Sequence, residues 1–391
     1  SSFGKVFLAH EFQHLISFNQ KDLLRDASED VWLNELRSEY ANTVVGYNGS
    51  SQNSNLNRRI DTFLSEPSDS LVEWPNVVLD YSQVALFAEY IAEQFGPRII
   101  SETLKNDLVG IDSINKFLQS GGRPERFSNI FGNWLTANYL NGSSSDSRYG
   151  YMRSELKNIR ITPNQYFLPY PGKYELNYDL KPWQGSWHKL NLYYMPKDKV
   201  LKISFNSADG FKLWYADNLG NTGELKNGGY VTNSGDLGFV VLMPVNESKT
   251  SGFGNSESPK TFRASIEYAD VPAKAALRDG DLIKRQGESE TYVIEGNYKR
   301  YLRPEVIKLY GHLISSAVTE LSAEDLNSYT TANYVRSINE KRVYAVWPDG
   351  TKHWLNITPQ QWDASGRDWN AIFIINDLEL NHYKTGPDIT R

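Results

Sequence analysis

The chain has 391 residues, a net charge of −6 and no cysteine. These values exclude a disulfide framework and any thiolate metal site, and no basic run suggests nucleic-acid binding. With 40% hydrophobic and 13% aromatic residues, a chain of this length can bury cores for about two to four domains, and the aromatic excess leans toward β-rich modules. No apolar run approaches the roughly 18 residues that span a bilayer.

The first third of the chain is predicted to be helical. The apolar face of the first helix is formed by Val6, Phe7, Leu8, Leu15, Ile16 and Phe18. We expect helices over about 2–18, 28–40, 80–95, 112–118 and 124–139, with a polar loop at 46–58 and a Gly/Ser-rich domain edge at 142–147.

From about residue 155 the pattern changes to short alternating runs separated by Gly, Asn and Asp turns, which predicts a β-sandwich over 155–270. The remainder, 276–391, contains an internal repeat. Residues 292–302 match 344–355 at an offset of 52 to 53. We therefore expect a tandem β-rich module with copies at about 279–330 and 333–386.

The first helix carries the sequence His10-Glu11-Phe12-Gln13-His14. Two histidines four residues apart lie on one face of a helix, so both imidazoles can reach one ion. Glu11 is then placed beside a water-filled fourth position on the metal. The alternative is a helix that carries two histidines by coincidence, which is infrequent because the chain has only 6. The pattern predicts a zinc site.

A catalytic zinc site takes three protein ligands and leaves the fourth position for water. Val31-Trp-Leu-Asn-Glu supplies Glu35, 21 positions beyond His14. Trp-Leu-Asn-Glu resembles the gluzincin clan, in which the third ligand is the Glu of an Asn-Glu pair; the resemblance assigns Glu35 as ligand and Asn34 as its neighbour. In thermolysin-like members a carboxylate one helical turn further orients the first His. This implies that role for Glu39, and a solvated helix carboxylate is the alternative.

The segment from Asp80 to Gly96 resembles the gluzincin helix that carries a tyrosine stabilising the transition state. Tyr81, at its start, is the residue that matches, and an ordinary helix-end tyrosine is the alternative. Tyr90 is expected in the core.

These blocks, together with Phe127-Ser-Asn-Ile-Phe-Gly-Asn-Trp-Leu, closely resemble the hyicolysin-type family of secreted bacterial neutral metallopeptidases over residues 1–140. The all-β sandwich and the repeats fall outside the resemblance, and with them the chain is expected to be a multidomain α + β protein. The resemblance itself implies a helical zincin (thermolysin-like) C-terminal catalytic subdomain at 1–145. It also implies Zn²⁺, extracellular cleavage of peptide or protein substrates with an endopeptidase bias, and Glu11 and Tyr81 as catalytic residues.

Gluzincins place a twisted β-sheet before the active-site helix, whereas nine residues precede His10. We therefore expect either a processed fragment or a separate N-terminal catalytic half as a partner. The β modules are expected to bind substrate, a cell surface or a polysaccharide.

Several alternatives remain at this stage. His188, His312, His353 and His382 are interpreted as packing or surface residues. Asp209-Gly210 and Asp217-Asn218 offer oxygen ligands for structural Ca²⁺, although turn chemistry explains them equally well. A non-catalytic surface or adhesion protein and a carbohydrate-binding protein are the competing functions; aromatic side chains on one sheet face would favour the latter.

Overall fold

A computed structural model describes residues 2–49, 54–144, 146–168, 172–192, 195–233, 236–270, 277–314 and 318–390. The protein combines helices with several β-sheets, as predicted for a mixed α and β chain. It divides into two compact units, Ser1–Asp270 and Val271–Arg391.

Seven helices form the first part of the first unit within the described residues. They are α1 (Ser2–Phe18), α2 (Val31–Val44), α3 (Asn55–Ser65), α4 (Val78–Phe95), α5 (Arg98–Glu102), α6 (Gly110–Ser120) and α7 (Phe127–Leu140). A π-helical turn, Asn19–Leu23, extends α1. None of the described helices is long and apolar enough to cross a membrane.

Helix α3 corrects the prediction of a loop at 46–58. Residues 50–53 lie outside the described residues, but the chain is helical from Asn55 onward. Ser54 caps the helix by accepting a hydrogen bond from the Asn57 backbone amide at 3.2 Å. Leu56, Ile60 and Phe63 are buried at helical spacing. The polar residues between them, Asn57, Arg58, Arg59, Asp61 and Thr62, hide this pattern in the sequence.

Among the described residues of the first unit, nine strands follow and form two sheets. They are β1 (Asn164–Phe167), β2 (Lys173–Leu180), β3 (His188–Asn191), β4 (Lys199–Phe205), β5 (Phe211–Asp217), β6 (Thr222–Leu225), β7 (Gly229–Thr232), β8 (Phe239–Asn246) and β9 (Lys260–Asp270). One sheet has the order β1-β3-β8-β5-β6, and the other has the order β2-β9-β4-β7. All neighbours are antiparallel except β1 and β3.

The five-stranded sheet is covered on both faces. Its Leu190, Leu213 and Leu242 face the second sheet in an apolar core. On its other face, Trp214 and Met243 belong to the same core as the helices. Helix α7 packs here, and a Cβ on its Gly132 would lie 1.9 Å from the Trp214 ring, so this position needs glycine. The helices and one face of the five-stranded sheet therefore share a hydrophobic core, and the opposite face of that sheet forms a separate core with the second sheet.

The second unit contains two five-stranded sheets with the same topology. Their strands are β10 (Leu282–Arg285), β11 (Thr291–Glu295), β12 (Tyr298–Leu302), β13 (Val318–Leu321), β14 (Thr330–Thr331), β15 (Tyr334–Ser337), β16 (Tyr344–Val346), β17 (Thr351–Trp354), β18 (Ile372–Ile375) and β19 (Lys384–Thr385). The orders are β13-β10-β11-β12-β14 and β18-β15-β16-β17-β19. In both, the outermost strands pair in parallel and the inner ones antiparallel.

Short helices α8 (Pro304–Ile307), α9 (Gly311–Ile314), α10 (Ala323–Asn327), α11 (Pro359–Ala364) and α12 (Asp377–His382) complete the second unit. A buried ion pair joins its two sheets, with Arg300 Nη1 on β12 lying 2.5 Å from Glu379 Oε1 on α12. Tyr383 donates to the same carboxylate at 2.6 Å. The two repeats are therefore tied together by a shared polar cluster.

His188 on β3 is fully buried in the sandwich. Its Nδ1 lies 3.2 Å from the Tyr166 hydroxyl and its Nε2 lies 3.1 Å from Ser186 Oγ. Burial lowers the pKa of His188 to about 4, because the low-dielectric surroundings disfavour imidazolium. The residue is a neutral packing histidine, consistent with the interpretation given to it above.

We expect this histidine to make the first unit acid-sensitive. The unfolded chain takes up the proton at a pKa near 6.5 and the folded chain near 4. The stabilising contribution is therefore complete above about pH 6.5 and is lost toward about pH 4, by at most about 3 kcal/mol. Urea unfolding at about pH 7 and about pH 4.5, with chelator present, should show a smaller loss in His188→Gln than in the unsubstituted chain. An equal loss in both would contradict the assignment.

Candidate metal centre

Helix α1 directs its polar face toward the protein. Ser17 and Lys21 are buried and His10 and His14 are half-buried along this face. The apolar residues point outward instead, and five of them are more than half exposed: Phe7, Leu8, Phe12, Leu15 and Phe18. The apolar face predicted from the sequence is present, but the described part of the chain leaves it uncovered. Both histidines consequently face α2.

Three side-chain atoms converge between α1 and α2. Glu35 Oε2 lies 3.1 Å from His10 Nε2 and 3.4 Å from His14 Nε2. The two Nε2 atoms are themselves 3.2 Å apart. Within the described residues, this is the one group of three or more His, Cys, Asp or Glu side chains placed to hold a metal ion.

The dimensions of this triangle suit zinc. In a tetrahedral zinc site with bonds of about 2.0–2.1 Å, neighbouring ligand atoms lie about 3.3–3.4 Å apart. Glu35 Oε2 is also buried without a hydrogen bond of normal geometry, so it is directed at the gap between the imidazoles. Two imidazole nitrogens and one carboxylate oxygen are a donor set that zinc accepts. The residues fit the ion.

The second ring nitrogen of each histidine also has a partner. His10 Nδ1 lies 3.5 Å from Glu39 Oε1, the position implied for Glu39 by the resemblance. His14 Nδ1 lies 3.2 Å from Ser38 Oγ. Such outer contacts orient a metal-binding imidazole and fix its tautomer. Ser38 was not predicted, although its spacing of three from Glu35 places it on the same helix face.

The charges of the cluster support each other. Burial alone would lower the pKa of His10, but close contact with the Glu35 and Glu39 carboxylates raises it to about 9. Burial alone would raise the pKa of Glu35, but contact with His10 and His14 lowers it to about 2. Contact with Glu35 likewise raises the pKa of His14. Glu35 therefore stays anionic, as a metal ligand must.

Glu11 lies at the mouth of the site. Its side chain is exposed, and it lines a cleft of about 580 Å³ together with His10 and Glu39. The rest of the lining comes from α1, α2, one face of α3 and the start of α4, and consists of Val6, Phe7, Asn42, Asn55, Arg58, Arg59, Asp61, Thr62, Val78 and Tyr81. The Glu11 carboxylate is therefore open to solvent and lines the same cleft as His10.

Tyr81 lies at the first turn of α4, with its ring centroid 6.2 Å from that of His10. Its hydroxyl donates to Asn76 Oδ1 at 2.9 Å. Burial, followed by the negative charge of Glu35, raises the pKa of Tyr81, so the phenol remains protonated and able to donate. The Tyr81 hydroxyl must break its hydrogen bond to Asn76 before it can donate one to a substrate.

The other predicted residues have separate environments. Asn34 Oδ1 is buried without a hydrogen bond and its amide contributes to the raised pKa of His14. Tyr90 is in the core, as expected, with 1% of its surface exposed. His353 is buried, His382 is exposed and His312 lies in α9.

The calcium candidates are engaged in turns. Both carboxylate oxygens of Asp217 accept hydrogen bonds from its own loop, from the Leu219 amide and from Asn221. Asp209 accepts from Asn206 at 2.8 Å. Turn chemistry accounts for these contacts.

No protein-family model matches the chain, and no curated protein matches it. Among solved structures, the chain is similar to PliG of Salmonella Typhimurium, a periplasmic inhibitor of g-type lysozyme. The identity is 10%, the alignment covers 28% of this chain and 100% of that chain, and the TM-score is 0.22. A similarity of this size carries no functional argument.

We expect zinc binding to depend on the converging ligand atoms. Glu35→Gln and His14→Ala should each weaken zinc binding by more than the about 10- to 100-fold typical of losing a residue that only orients a ligand. Competition with a chromogenic chelator measures the affinity. His382→Ala, which removes an exposed histidine, is the control and should bind zinc normally. Unchanged affinity in Glu35→Gln would refute the ligand assignment.

Proposed function

We propose that this protein is a zinc-dependent peptidase with a gluzincin-type centre, acting outside the cell on peptide or protein substrates. The observation that carries the proposal is the triangle of His10, His14 and Glu35 ligand atoms, with edges of 3.1 to 3.4 Å. Its His10 lines the same cleft as Glu11. The zincin fold, endopeptidase bias and extracellular location are supported by the resemblance of residues 1–140.

When bound, zinc lowers the pKa of a water toward neutrality and polarises the scissile carbonyl. Glu11 serves as general base: its carboxylate takes the proton from the attacking water and passes it to the leaving amine nitrogen. Its exposure in the cleft leaves room for both water and substrate. Glu39 and Ser38 engage the Nδ1 atoms of His10 and His14, which leaves the Nε2 atoms to bind the ion once each imidazole has lost its Nε2 proton.

The Tyr81 hydroxyl would donate a hydrogen bond to the negative charge that develops on the carbonyl oxygen, and it would keep its proton. Preorganised donors of this kind supply a large share of the electrostatic stabilisation in acyl-transfer reactions. The hydroxyl exchanges its hydrogen bond to Asn76 for one to the substrate, so its donor capacity is retained in both states.

The outward face of α1 supports a polypeptide partner over the cleft. Leu8, Phe12 and Leu15 are each more than 60% exposed and lie on the side of the helix that carries Glu11. Adjacent large apolar side chains at this exposure mark an interaction surface. We propose that the β-sheet half of the catalytic domain packs here, whether it belongs to a longer form of the chain or to a separate polypeptide.

The β modules have a weaker case for carbohydrate binding. On the outward face of the four-stranded sheet, β7 contributes the aromatic Tyr230, opposite Lys202. The outward residues of β2, β4 and β9 are polar: Glu175, Asn177, Asp179, Lys202, Ser204, Arg263, Ser265 and Glu267. The aromatic residues Tyr174 and Tyr178 of β2 turn inward and pack against the sandwich core. A polar sheet face favours contact with a polar surface over stacking on sugar rings. A surface or adhesion protein is therefore the second candidate function.

Glu11→Gln should abolish casein hydrolysis while leaving zinc content unchanged. The substitution keeps the size of the side chain and removes the base, and loss of general-base catalysis alone costs about 10²- to 10⁴-fold. Zinc content by atomic absorption and casein cleavage with and without chelator are the measurements.

Glu66→Gln, at an exposed glutamate that follows α3, is the matched control and should retain activity. A chain that holds no zinc and gives no chelator-sensitive cleavage would refute the peptidase proposal. A zinc-loaded chain that cleaves only when the proposed β-sheet half is supplied would support it.

A further inference from the structure

The Glu39 carboxylate is held by α3, an element that the sequence did not predict. Arg59 donates to both of its oxygens, from Nη2 to Oε1 at 2.6 Å and from Nε to Oε2 at 3.1 Å. Asn55, one turn earlier on α3, donates to Oε2 at 2.9 Å. Glu39 is nearly fully buried, with 2% of its side chain exposed. Its orientation toward His10 is therefore fixed by these donors.

The same guanidinium contacts Tyr81. Arg59 Cζ lies 4.9 Å from the centroid of the Tyr81 ring, within the range of a cation–π contact. Trp74 packs edge-on against the ring at a centroid distance of 5.1 Å. Arg59 and Trp74 thus restrain the ring of Tyr81 beside His10.

We propose that Arg59 is a positioning residue for the metal centre: it aims Glu39 at His10 Nδ1 and holds Tyr81 at the cleft. The inference rests on the proposed zinc function and assigns a role to a residue outside the predicted site. Arg59 acts through Glu39 and Tyr81, and through them it sets the direction of His10 Nε2 and of the phenol.

The geometry requires an arginine. A guanidinium is a planar fork that can donate to both oxygens of a carboxylate and lie over an aromatic ring. A lysine supplies a single compact charge and cannot make both contacts in the same way. Without the guanidinium, the Glu39 carboxylate would be buried beside His10 with Asn55 as its remaining donor on α3. Its orientation toward His10 would then be less fixed.

Zinc affinity, measured by chelator competition, tests the proposal. Arg59→Gln should weaken zinc binding by about 10- to 100-fold, the usual effect of losing a group that orients a ligand. Arg59→Lys should recover part of this loss because the charge is restored. Combining Arg59→Gln with Glu39→Gln should weaken binding no further than Glu39→Gln alone, because Arg59 acts through that carboxylate.

Arg153 provides a matched control. It pairs with the buried Glu89 of α4 at 3.0 Å, and its side chain is 23% exposed, against 18% for Arg59. Arg153→Gln removes a comparable ion pair from the same unit and should lower the melting temperature without changing zinc affinity. Zinc binding weakened in Arg59→Gln but not in Arg153→Gln supports the proposal.

Three outcomes overturn it. Affinity in Arg59→Gln within about twofold of the unsubstituted chain removes the role of Arg59 while leaving the zinc site intact. Equal weakening in Arg153→Gln reduces the effect to general stability. An unsubstituted chain that binds no zinc removes both this inference and the proposed function.

Discussion

The centre depends on the contact between α1 and α2, and that contact is polar. Two buried or half-buried clusters hold the helices together. In the second half of α1, His10 and His14 meet Glu35 and Glu39. Beyond its end, Lys21 and Arg37 share the Glu29 carboxylate at 3.5 and 2.7 Å. Burying such charges costs desolvation free energy. Their mutual attraction offsets this cost only when every charge is paired in good geometry.

This arrangement couples the metal to the fold. An ion bound by His10, His14 and Glu35 joins α1 to α2, and any ligand that binds only the folded state stabilises it by mass action. The polar inner face of α1 leaves its apolar residues outside, around Glu11. The position of the proposed base is therefore linked to the surface that a second polypeptide would cover. Under the proposed function, the general base and the surface for a second polypeptide would lie on the same helix.

The arrangement of the centre follows largely from helical periodicity. Residues spaced by three and four fall on one face, so His10 and His14 on α1, and Glu35 and Glu39 on α2, were predictable as pairs. Ser38 follows the same rule and was missed. Arg59 was not predictable, because its contact with Glu39 spans 20 residues and its helix is concealed by polar residues. Sequence periodicity predicts which residues share one face of a helix. It does not predict which other helix or strand packs against that face.

The sequence also did not show which face of α1 points into the protein. Amphipathic pattern normally places the apolar side of a helix inside, whereas α1 is reversed because its polar side carries the ligands. The packing of the helices against the β-sandwich could not be predicted from the sequence either. Trp214 fits the alternating pattern of an ordinary strand. Only the structure shows that its side chain packs against Gly132 of α7.

The most direct test of the central claim is anomalous diffraction at the zinc edge from a zinc-loaded crystal. The account predicts one strong peak within about 2.0–2.2 Å of His10 Nε2, His14 Nε2 and a Glu35 carboxylate oxygen, with His10 Nδ1 still facing Glu39. Absence of a peak there in a zinc-loaded crystal, with the three side chains pointing apart, would contradict it.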